Sequence, residues 1–72
     1  MKVTICMTNG GRYDNITDIN NIGLKEINET VLMDLINSIM KCSNENSFII
    51  IKFNSSSKAV LRINCISSIN LE

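Results

Sequence analysis

No histidine occurs in this 72-residue chain. That absence removes the most frequent general base, the most frequent metal ligand and the usual activator of a nucleophilic serine or cysteine. Net charge is missing too. Seven Lys and Arg balance seven Asp and Glu, so no global field draws the chain towards nucleic acid or an anionic membrane, and no acidic run marks a DNA mimic. Cys6, Cys42 and Cys65 form no Cys-x-x-Cys pair; their odd number suits a reducing compartment, and they read as small buried hydrophobes. No apolar run approaches the roughly 20 residues of a membrane span, and no charged-apolar-small leader opens the chain. A cytoplasmic protein without a membrane partner is expected. Gly10-Gly11 lacks the Gly-x-Gly-x-x-Gly spacing and the following helix of a phosphate-binding loop. With these groups absent, no enzyme activity, catalytic residue, metal site or cofactor is expected.

What is present is one domain, 1–72, with one small core. Chains of this size bury only about 60% of their unfolded surface and gain little more than about 3–5 kcal/mol from the core alone, so they often lean on association. A homo-oligomer is expected.

Val3, Ile5 and Met7 alternate with Thr4, Cys6 and Thr8, the period of a half-buried strand. Asn9-Gly10-Gly11 then signals a hairpin, which predicts a second strand near Arg12 to Ile16. Residues 17–28 carry no clear period and read as loop, with Asn20-Asn21-Ile22-Gly23 as a turn. From Glu29 to Lys41, residues Val31, Leu32, Leu35, Ile36, Ile39 and Met40 form one helical stripe. Asn28 suits the N-cap, Glu29 the first turn and Lys41 the last, and Ser43-Asn44-Glu45-Asn46 breaks the helix.

Phe48 to Asn54 and Lys58 to Asn64, joined by Ser55-Ser56-Ser57, read as a second hairpin. With Phe53 opposite Ala59, one face carries Ile49, Ile51, Phe53, Ala59, Leu61 and Ile63 and forms core. The other carries Phe48, Ile50, Lys52, Lys58, Val60, Arg62 and Asn64. The apolar residues that follow, at 63, 66, 69 and 71, shift from a spacing of three to one of two, which predicts a bend near Cys65 and a last short strand. The expected fold is α+β, in the order ββαβββ, an antiparallel sheet with one amphipathic helix packed on it.

The outer hairpin face holds the sharpest candidates for function. Lys52, Lys58 and Arg62 can gather phosphate or carboxylate groups on the apolar footing of Ile50 and Val60; alternatively Phe48, Ile50 and Val60 are the contact of a symmetric dimer with a charged rim. Arg12 and Tyr13 can offer a guanidinium and a stacking ring to an anionic or nucleotide ligand. The plainer alternative packs Tyr13 on the sheet and leaves Arg12 solvated. Asp14 and Asp18, four apart in a turn-rich stretch, read as solvated turn formers.

Ile and Asn together supply 24 of the 72 residues, an imbalance expected from AT-rich coding DNA. With the Asn-Gly hairpin, the single helix and the final KAVLRINCISSINL, the chain resembles the small accessory proteins of bacteriophages and mobile elements of AT-rich bacteria. The closing strands also resemble those of Sm-like and SH3-like small barrels. The first resemblance implies a non-enzymatic inhibitor of host defence that binds a host protein or sequesters a small anionic nucleotide signal. The second implies an RNA- or DNA-binding regulator.

Overall fold

A computed structural model describes residues 2–42, 44 and 46–72. Its elements run β1 (Val3–Met7), β2 (Arg12–Tyr13), β3 (Ile16–Ile19), β4 (Ile22–Gly23), α1 (Glu29–Lys41), β5 (Phe48–Phe53), β6 (Ser57–Arg62), a 3-10 turn (Ile63–Cys65) and β7 (Ile66–Leu71). The class is α+β, and the strands form two antiparallel sheets rather than one, β2-β1-β7 and β4-β3-β5-β6. Among the described residues no helix is long and apolar enough to cross a membrane.

The first hairpin forms as its sequence predicts. Gly10 takes φ 91°, a value that side chains resist. Gly11 donates its N–H to Asn9 Oδ1 at 2.8 Å, and a Cβ there would stand 2.9 Å from that same oxygen. The returning strand is shorter than expected because Asn15, at φ 54°, bends the chain out of the first sheet and into the second. Residues 17–28 are not all loop. β3 and β4 occupy part of them, hidden from a period-2 reading by a register shift between Ile16 and Asp18 and by consecutive left-handed residues at Asn20 and Asn21.

The helix has the expected limits. Asn28 Oδ1 accepts the Val31 N–H at 2.9 Å, Glu29 sits in the first turn and Lys41 in the last. Leu32, Ile36 and Ile39 enter the core, Leu35 and Met40 flank it, and Val31 is exposed, so the buried stripe is narrower than the apolar one. Of the expected break, Ser43 and Glu45 lie outside the described residues.

In the second hairpin Phe53 lies opposite Ser57, and Ala59 opposite Ile51. The loop is thus Asn54-Ser55-Ser56, and the pairing differs by two residues from the expected register. A slip of two keeps every side chain on its face. Ile49, Ile51, Leu61 and Ile63 are accordingly buried, with Phe53 and Ala59 half-buried beside them. The predicted bend is the 3-10 turn, which carries the chain from β6 in one sheet to β7 in the other, where β7 pairs with β1 from Val3–Leu71 to Met7–Ile66. One core fills the space between sheets and helix, with Ile5, Ile19, Leu32, Ile49 and Ile51 its most deeply enclosed side chains. The three cysteines are all half-buried rather than enclosed.

Candidate functional site

The outer face of β5 and β6 is built from three successive cross-strand pairs: Phe48 with Arg62, Ile50 with Val60, and Lys52 with Lys58. Strand alternation places them there, because the odd-numbered neighbours are claimed by the core. Phe48, Ile50 and Val60 are 57%, 44% and 64% exposed, so nothing among the described residues covers this face. β6 is also the outermost strand of its sheet, which extends the surface to an unpaired backbone edge.

Local contacts hold the face in place. The Arg62 guanidinium lies 5.8 Å from the centre of the Phe48 ring, and its Nη2 donates to Asn46 Oδ1 at 2.6 Å. Asn20 clamps the middle of β5. Its N–H donates to the Ile50 carbonyl at 2.7 Å, and its Oδ1 accepts the Ile50 N–H at 3.0 Å. Sequence reasoning missed Asn20 and Asn46. Both look like ordinary turn residues, and their partners lie 30 and 16 positions away.

Lys52 and Lys58 stand directly opposite each other, an arrangement of like charges that destabilises a sheet. Asp18 is the other cross-strand neighbour of Lys52, but no ion pair forms between them. Asp18 Oδ1 instead lies 3.7 Å from where a Cβ on Gly23 would stand, beside the Glu26 carboxyl group. The sheet is therefore basic at its β6 margin and acidic at its β4 margin. Among the described residues the ion pair is Arg12 with Asp14.

Arg12 and Tyr13 do not join this face. Arg12 belongs to the other sheet, opposite Cys6, and its Nε donates to Asp14 Oδ1 at 2.9 Å. The hydrogen bond from Arg12 holds the Asp14 carboxyl below the usual carboxylate range, with its positive charge acting in the same sense. The same oxygen accepts from Thr4 Oγ1 at 3.3 Å. Asp14 is thus part of a polar network rather than a free turn former. Tyr13 packs edge-on against Phe53, ring centres 5.1 Å apart and planes at 77°, joining the sheets instead of offering a stacking surface.

Fold and site thus define an α+β protein that displays an uncovered apolar and basic sheet face. Comparison with protein-family models, with curated proteins and with solved structures finds no match.

Proposed function

We propose that this protein is a non-enzymatic binding module that acts by occupancy, using the outer face of β5 and β6 to cover an acidic surface on another protein. The observation that carries the reading is the juxtaposition of Phe48, Ile50 and Val60 with the opposed Lys52 and Lys58. Apolar side chains left in water gain by being covered, and two like charges without an acid between them gain from an anionic partner. The face is built on one hairpin with three large apolar side chains exposed side by side, which suits a macromolecular surface better than a small nucleotide. Blocking a host defence protein, as the accessory proteins of mobile elements do, is a role that needs only such a surface.

The test is affinity capture from a lysate of the cell in which the protein acts, with wild type and Lys52→Ala/Arg62→Ala as parallel baits. A partner retained by the wild type and lost by the variant, at unchanged melting temperature, is the expected result. Equal retention would remove this face from the function. A nucleic-acid reader would instead bind labelled single-stranded RNA with a log-log salt slope of roughly 0.7 per phosphate neutralised.

Self-association is a second reading, favoured by Asp18 and Glu26 beside Gly23 at the opposite margin of the same sheet. They give a second copy acidic groups to set against Lys52 and Lys58. Light scattering at tens of micromolar tests it: a mass above that of the monomer supports the reading, and a monomeric mass excludes it.

A further inference from the structure

A cleft of about 630 Å³ opens where the two sheets part. It lies between the start of β1, the start of β3 and the segment that leads from β4 into the helix. That volume falls within the range of roughly 300–1,000 Å³ typical of small-molecule sites. Its lining is divided by chemistry. Val3, Ile16 and Leu24, all core residues, form the floor with half-buried Ile27. Lys2 and Lys25 stand exposed on the rim, and neither forms an ion pair with a described residue.

The cleft is held by backbone bonds rather than by side chains alone. Lys2 and Glu72 exchange N–H to carbonyl bonds in both directions, at 2.9 and 2.8 Å, which fixes one rim. Leu24 donates its N–H to the Thr17 carbonyl at 2.9 Å, which fixes the floor against β3. A site already formed before binding loses little freedom when it is filled.

We propose that this cleft binds a small amphipathic anion, an apolar body bearing one carboxylate or phosphate. The body follows from the floor, whose side chains Val3, Ile16, Leu24 and Ile27 are all apolar. The anionic head follows from the rim, where Lys2 and Lys25 stand without an ion-pair partner among the described residues, the Glu72 side chain of the same lining included. Of the other polar groups of the lining, Thr17 Oγ1 donates to the Lys52 carbonyl at 3.3 Å, and Asn15 Nδ2 donates to Asn54 Oδ1 at 3.1 Å. Lys2 and Lys25 are the cationic groups of the lining and are assigned to the head. This site is separate from the β5 and β6 face and does not depend on it.

The experiment is an NMR titration of the isotopically labelled full chain with sodium decanoate and separately with sodium decyl phosphate, each kept below its micelle concentration. Decylamine, which carries the same apolar body with a positive head, is the control. Saturable shifts centred on the amides of Val3, Ile16, Leu24 and Ile27 are expected with at least one anion and not with decylamine. Which anion binds separates a carboxylate from a phosphate head. Lys2→Glu/Lys25→Glu should weaken binding by at least roughly tenfold, about 1.4 kcal/mol, while Lys41→Gln on the helix leaves it unchanged. If the double variant fails to fold, Lys25→Gln alone must still weaken binding measurably. The proposal is overturned by an absence of shifts at these amides up to millimolar anion, by equal binding of decylamine, or by affinity indifferent to the lysine substitutions.

Discussion

At the scale of single residues, the Arg12–Asp14–Thr4 network makes a statement about pH. A carboxyl held below its ordinary value of about 4 stabilises the fold while ionised. That contribution is present above the unfolded-state value and is lost as pH falls through the folded one. Urea denaturation at several pH values should therefore show wild type losing its advantage over Asp14→Asn below about pH 5. A constant difference between the two across that range would mean that the network contributes nothing through charge. Of this network the sequence shows the residues but not the bonds, because Thr4 lies on β1 and Asp14 just after β2, and they meet only once β1 and the returning chain are paired.

At the scale of elements, the helix offers the cleanest contrast, since Val31 and Leu32 are adjacent, both apolar and oppositely placed. Leu32 is fully enclosed and Val31 is 47% exposed. Leu32→Ala should cost about 2–5 kcal/mol, Val31→Lys no more than about 0.5 kcal/mol and Asn28→Ala about 1 kcal/mol through the lost cap. Denaturant midpoints measure all three, and similar losses at positions 31 and 32 would mean that the helix faces the core differently. Periodicity located this helix because 13 residues give the 3.6 period room to show. It could not show how wide a stripe the sheets would cover. β3 and β4 had no such signal, being four and two residues long, interrupted by a register shift and completed by Asn20 reaching across to Ile50.

At the scale of the whole molecule, β1, β3 and β5 are the strands with a neighbour on both sides, while β2, β4, β6 and β7 are edges. Amides of Ile5 and Ile51 should thus be among the slowest to exchange with solvent, and those of β4 among the fastest. Hydrogen-exchange NMR reads this directly; fast exchange at Ile5 would mean that β7 does not close the first sheet. By itself the sequence determined the α+β class, the helix with its cap, both hairpins, the bend before the last strand and the two faces of β5 and β6. Each of these follows from local periodicity or turn chemistry, and face assignment survives a register slip of two. Only the tertiary structure decided that the strands divide into two sheets, that Tyr13 is spent on Phe53 while Lys52 meets Lys58 unbalanced, and that Lys2 and Lys25 share a cleft. Those outcomes depend on contacts between residues far apart in the chain, such as Asn15 with Asn54 and Lys2 with Glu72, whose closeness no local pattern encodes.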